Sequence, residues 1–210
     1  MAVISAISSG ATAPPDFTLL STWESWAQGE FATTPDEYIA ECYNDFGGPL
    51  NDATAIAGWG VTDATNHPTI RAAAGQGHGG VEDAGFVLTN AARPLYISQA
   101  YVVVEGIQVQ TTGTNDVPFE VPSAGANSVF DSLILKTPGT ESNSYGIDNG
   151  ADGSIVRNCL IISAARGVDA SNNSGTYENC TVIGLGGATT FGFINTGNAT
   201  LTNVTIIGFL

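Results

Sequence analysis

A parallel β-helix closed at its start by one short helix is the fold this sequence predicts, and three observations predict it. First, five segments repeat one pattern, at 102–109, 129–135, 155–161, 176–182 and 200–206, centred on Gly106, Ser132, Asn158, Asn179 and Asn203. The centres lie 26, 26, 21 and 24 residues apart, which is the spacing of a solenoid coil built from short strands. Second, the copies share faces. Val104, Phe130, Val156, Tyr177 and Leu201 stand two places before the centre, and Ile107, Leu133, Cys159, Cys180 and Val204 one place after it. Val109, Leu135, Ile161, Val182 and Ile206 stand three places after it, whereas Glu105, Asp131, Arg157, Glu178 and Thr202, one place before it, are polar in every copy. This is the alternation of a strand with one buried face. The same inward position filled in coil after coil requires strands stacked in parallel and in register, about 4.8 Å apart. Third, a further strand falls between the centres, at 145–150, 166–169 and 192–197, and aligns Ile147, Val168 and Ile194 as another inward column. Three strands per coil at this period indicate the right-handed form.

The elements follow in order. Residues 1–16, rich in Ala, Ser, Gly and Pro, read as a flexible or extended arm. Residues 17–36 hold the one convincing helix, with Ser21 and Glu24 at capping-box spacing and Gly29 where a helix would stop. Trp23 and Trp26, three apart, share a face of it and are expected to bury against the first coil, plugging the solenoid's open end. The β-helix itself is assigned to 37–210. From 37 to 97 short apolar runs alternate with turns without a regular repeat, at 37–42, 53–57, 69–73, 85–89 and 95–97.

Composition fits such a chain and excludes several functions. Of 210 residues 43% are hydrophobic and only 12% charged, with 26 glycines, so an ordered chain with many turns is expected. Five basic residues stand against 20 acidic ones, a net charge of -15 that repels nucleic acid and anionic lipid at long range. The first ten residues lack a basic region, and their apolar run is too short for a signal peptide or a membrane span. The chain is therefore expected to be made and kept in a cytoplasm, not secreted. Cys42, Cys159 and Cys180 do not make a disulfide framework, and Cys159 and Cys180 are expected as buried thiols in one inward column.

Asn158, Asn179 and Asn203 stack at one bend, where Asn tolerates the left-handed turn and each amide can bond to its neighbours above and below. With this asparagine ladder the chain resembles the right-handed parallel β-helix repeat proteins, a superfamily that includes pectate lyases, rhamnogalacturonases and many phage tailspikes. The stretch Gly75-Gln-Gly-His-Gly-Gly-Val81 also resembles a loop of phage and environmental members. Fold alone does not give activity.

Polysaccharide cleavage on such a scaffold needs paired carboxylates, or carboxylates holding calcium beside a basic proton acceptor. Asp148 and Asp169 are the best pair, at equivalent places in consecutive coils with Asn195 expected next in the column; the alternative is that they only make turns. Arg157 and Arg166 are the candidate bases of a lyase, although the outward column Glu105, Asp131, Arg157, Glu178 also reads as a surface charge ladder. His67 and His78 share no spacing with another ligand-type side chain, so no metal site and no cofactor is expected. Trp59, Tyr96 and Tyr101 are candidates to stack on sugar rings if exposed. The edge formed by Ile206, Ile207, Phe209 and Leu210 follows a repeat strand without a visible lid, and either another chain or further residues of the natural protein beyond 210 are expected to cover it. The resemblance then implies a phage virion structural protein on the outer surface, a head-decoration protein or a tail spike or fibre subunit. Other virion proteins, its own trimer and a cell-surface glycan are the expected partners, with no nucleic acid and no membrane insertion. The alternative is a polysaccharide-degrading lyase or hydrolase working through Asp148 and Asp169.

Overall fold

The computed structural model describes residues 2–10, 16–114, 116–171, 173–186 and 191–209. Three parallel sheets wrap into a solenoid of triangular section. Among the described residues the first sheet runs, in spatial order, through Val3–Ile7, Tyr38–Cys42, Pro68–Ala72, Val103–Glu105, Val129–Asp131, Ile155–Arg157, Thr176–Glu178 and Thr200–Thr202. The second stacks Leu50–Asn51, Val87–Asn90, Gln108–Thr111, Ile134–Thr137, Leu160–Ser163, Thr181–Gly184 and Thr205–Ile207. The third stacks Thr54–Ile56, Leu95–Ile97, Phe119–Val121, Tyr145–Asn149, Arg166–Asp169 and Phe191–Ile194.

Each repeat copy is two short strands with its central residue at the corner between the first and second sheets. Ser132, Asn158, Asn179 and Asn203 all have φ between 52° and 55°, so the corner demands a left-handed residue in each coil. The inward columns behave as strand alternation requires: Val104, Phe130, Val156, Val109, Leu135, Ile161 and Val182 are fully buried. Near the start of the third-sheet strands a column of glycines, Gly146, Gly167 and Gly192, lets consecutive coils close up. A Cβ on Gly146 would run into the Ile161 side chain and the Gly167 carbonyl, and one on Gly167 into Val182 and the Gly192 carbonyl.

Three expectations need correction. Val3–Ile7, expected within a flexible or extended arm, forms the first strand of the first sheet, pairing Val3 with Tyr38 through to Ile7 with Cys42. Ser5 and Ile7 turn inward and are buried, so the strand is held by core contacts as well as by its ladder. The helix spans Leu20–Phe31, and Gly29 lies inside it. Its start carries no side-chain cap of its own; instead the Ser21 N–H donates to Asp52 Oδ2 at 2.8 Å, so a carboxylate from the first coil takes the place of the local capping box. In the third sheet Val168 pairs with Phe193 and Asp169 with Ile194, one residue off the predicted register. Phe193 goes inward and packs edge-on against Tyr177, ring centroids 4.9 Å apart.

The helix lies across the start of the first and third sheets. Trp23 is fully buried and packs on Trp59, which also meets Phe31 and Tyr38, with ring centroids 5.5 to 6.0 Å apart. Trp26 is half-exposed, resting on Phe17 at 5.3 Å. Glu24 reaches over the first coil, where its Oε1 accepts from the Trp59 indole N–H at 3.1 Å. Burial raises the Glu24 pKa, and the donors on Trp59 and Ala57 offset part of that rise. No helix is long and apolar enough to cross a membrane among the described residues.

Candidate active face on the third sheet

The outer surface of the third sheet gathers the chemistry. Strand alternation points Tyr96, Glu120, Asp148 and Asp169 outward in one column, each the direct register partner of the next. Ile194 follows Asp169, in the place expected for Asn195. Asn195 instead closes its own turn, accepting from the Gly197 N–H at 3.1 Å.

Asp148 and Asp169 therefore face the same way one strand spacing apart, about 4.8 Å between backbones. Burial, then the charges of Asp169 and Glu120, push the Asp148 pKa up to about 6. Asp169 is held by the Ser171 amide, which donates to Oδ1 at 2.9 Å, and by the Ser171 hydroxyl. These bonds orient the carboxylate and leave its second oxygen for other partners.

Tyr145 and Arg166 are register partners beside the pair. The Arg166 guanidinium donates to Tyr145 Oη at 2.6 Å, and its carbon lies 5.3 Å from the Tyr145 ring centroid and 5.7 Å from that of Phe191. Burial raises the Tyr145 pKa, Arg166 opposes the rise, and the charges of Asp169 and Asp148 add to it. At the other end of the column Arg93 is ion-paired with Glu120 and lies 4.2 Å from the Tyr96 ring centroid. A cleft of about 270 Å³, lined by Ala92, Arg93, Asp116, Val117 and Glu120, opens there. Two carboxylates of unlike environment, with arginines and tyrosine hydroxyls beside them on one face, can hydrogen-bond a sugar and move a proton to or from it.

The remaining candidates sit elsewhere. The asparagines form the ladder: Asn203 Nδ2 donates to Asn179 Oδ1 at 3.1 Å, Asn179 Nδ2 to Asn158 Oδ1 at 3.3 Å, and Asn158 Nδ2 to Asp131 Oδ1 at 2.9 Å. Asp131 also takes Arg157 Nε at 2.6 Å. Burial pushes the Asp131 pKa up, but the donors Asn158, Arg157 and Ser132 outweigh it and hold the carboxyl below its ordinary value. Arg157 thus belongs to a charge ladder on the first sheet, like Arg71 with Glu41 at 2.6 Å. His78 is buried, with Nε2 2.6 Å from the Ser132 carbonyl and Nδ1 accepting from the Gly80 N–H at 2.9 Å. Both ring nitrogens are taken, so the glycine-rich loop 75–81 is clamped onto the ladder corner. His67 lies 3.9 Å from Glu37 at the opposite end of the first sheet from the ladder. Trp59 is core, not a sugar platform, and Cys159 and Cys180 are free and buried. No group of three His, Cys, Asp or Glu able to hold a metal ion is found among the described residues. Ile206 and Ile207 are 44% and 54% exposed on the last edge strand and Phe209 packs partly on the core, while Leu210 lies outside the described residues.

Sequence reasoning found Asp148, Asp169, Tyr96 and Arg166 but missed Glu120, Arg93 and Tyr145 as members of one face. The coils differ in length between 97 and 145, so only the three-dimensional register aligns Glu120 with Asp148.

No protein-family model and no curated protein matches the sequence. Among solved structures the chain is similar to the pectin methylesterase PemA from Erwinia chrysanthemi, at 12% identity and a TM-score of 0.51, over 87% of this chain and 55% of that one. The chain thus spans little more than half the length of that structure. At this identity the likeness shows the fold, a right-handed parallel β-helix.

Proposed function

We propose that the protein acts on glycans through the outer face of the third sheet, with Asp148 and Asp169 as the working carboxylates. The observation that carries this reading is the pairing itself: two acids in direct register, one with its pKa pushed up to about 6. A carboxyl at that pKa is an effective proton donor near neutral pH, and a second carboxylate on the adjacent strand in direct register suits the close acid–nucleophile pair of glycosidases that retain configuration. In that chemistry Asp148 gives its proton to the glycosidic oxygen as the bond to C1 breaks, and an Asp169 oxygen bonds to C1. Water, losing its proton to Asp148, then displaces Asp169 and regenerates both groups. The β-helix likeness to a pectin methylesterase fits a carbohydrate-acting role at the level of fold. The test is release of reducing ends from a polysaccharide panel by the wild-type chain and by Asp148→Asn. Loss in the variant with its fold intact supports the assignment, and unchanged release removes Asp148 from it.

A second reading is a virion surface protein that uses the same face to attach to glycan without cleaving it, made in a host cytoplasm and assembled with other virion proteins as a trimer. What supports it is the glycine-rich loop 75–81, whose sequence resembles a loop of phage members.

A further inference from the structure

Arg166 stands apart from the other cations of the chain. Of the five basic residues, Arg71, Arg93, Lys136 and Arg157 are each ion-paired with a carboxylate, whereas Arg166 has no such partner among the described residues of a chain with 20 acidic ones. We infer that Tyr145 contacts the substrate, its hydroxyl donating a hydrogen bond to the sugar held at Asp148 and Asp169, and that Arg166 is its positioning residue. This inference rests on the glycan-acting role proposed above and adds to that site the residues that orient the sugar.

The Arg166 guanidinium lies between the rings of Tyr145 and Phe191, and among the described residues its one hydrogen bond runs from Nη1 to Tyr145 Oη at 2.6 Å. Its buried Nε has no partner. An unpaired charge and an orphaned N–H both cost stability, so the rings fix this guanidinium where it serves Tyr145 and not where its own bonds are best satisfied. A hydroxyl that accepts such a charge-assisted hydrogen bond becomes a stronger donor itself. The Tyr145 proton must point away from the guanidinium, and no described residue accepts it. Burial raises the Tyr145 pKa, so that proton is retained through the neutral range. Asp148 and Asp169 follow three residues on along the same two strands, about 10 Å by strand rise, and their charges reach the hydroxyl. A sugar ring seated at the pair closes that distance, and one of its oxygens takes the Tyr145 proton in place of water. Because the donor is neutral, it leaves the proton on Asp148 where the reaction needs it.

The experiment is reducing-end release by the whole chain from amylose, xylan, galactan and polygalacturonate, with kcat/KM and its pH profile measured on the one that wild type degrades fastest. Tyr145→Phe keeps the ring beside Arg166 and removes only the hydroxyl. Arg166→Gln and the double variant complete a cycle, Arg166→Lys tests rescue, and Tyr43→Phe, next to the strand Tyr38–Cys42 of the first sheet, is the control. Tyr145→Phe is expected to lower kcat/KM about tenfold, the size of one hydrogen bond to the sugar, with the pH midpoint set by Asp148 unmoved. Arg166→Gln is expected to lose nearly as much and the double variant no more than Tyr145→Phe, while Arg166→Lys recovers part of the loss and Tyr43→Phe matches wild type. Losses that multiply in the double variant would overturn the positioning role of Arg166. Wild-type kcat/KM in Tyr145→Phe would overturn the inference and leave the glycan role standing, and this variant decides it even where Arg166→Gln does not fold. No release by wild type from any of the four would overturn both.

Discussion

Asp148 carries the most consequential charge in the molecule, because its folded pKa of about 6 lies above its ordinary 3.8. With the folded pKa raised, the native state holds a proton that the unfolded chain has lost between about pH 4 and 6. Stability therefore falls as pH rises through that window and stays lower above it. A shift of this size corresponds to about 3 kcal/mol, and partial exposure of the carboxyl brings the expected effect to about 1–2 kcal/mol. Asp148→Asn is accordingly predicted to unfold later than wild type at pH 7, with the gain gone near pH 4; denaturant titrations at the two pH values measure it. Equal stabilities at pH 7 would mean that the carboxyl is not strained. A residue whose removal stabilises the fold while abolishing turnover is the signature of a site kept for function. The sequence marked Asp148 and Asp169 by their equal places in two coils. It did not show that Glu120 adds its charge, nor that Tyr145 and Arg166 pair beside them, because those contacts depend on coils of unequal length.

At the scale of elements, the regular repeats after residue 100 were legible because the corner, the inward columns and the outward polar column recur at one spacing. The first strand and the cap were less so. Val3–Ile7 is short and its flanks are rich in small residues, and only its partner Tyr38–Cys42 makes it a strand. The helix start is completed by Asp52, thirty-one residues away from Ser21, which no local pattern reveals. The asparagine ladder combines two contributions, the left-handed backbone and the amide chain, and a pair of variants separates them. Asn179→Ala loses both, at φ 53° and two amide bonds, and is expected to cost about 2 kcal/mol. Asn179→Gly restores the backbone freedom and is expected to recover about half of that. Chemical denaturation distinguishes them: a glycine variant as stable as wild type would show that the amide chain contributes nothing.

At the scale of the whole molecule, stacked coils share one continuous core from the capped first coil to the exposed last one. The cap buries Trp23, Trp59, Phe31 and Tyr38, while the last coil presents Leu201, Ile206 and Ile207 at 44–54% exposure. Light scattering of the 210-residue chain is expected to give a mass of about three chains under the virion reading; a monomer of 21.5 kDa would count against it.

The central claim, that the outer face of the third sheet works on glycans through Asp148 and Asp169, is tested most directly by reducing-end release from a polysaccharide panel between pH 4 and 8. The account predicts release by wild type that declines above about pH 6, where Asp148 gives up its proton, and none by an Asp148→Asn variant that is folded and at least as stable. Release that persists in the variant with an unchanged pH profile would contradict it.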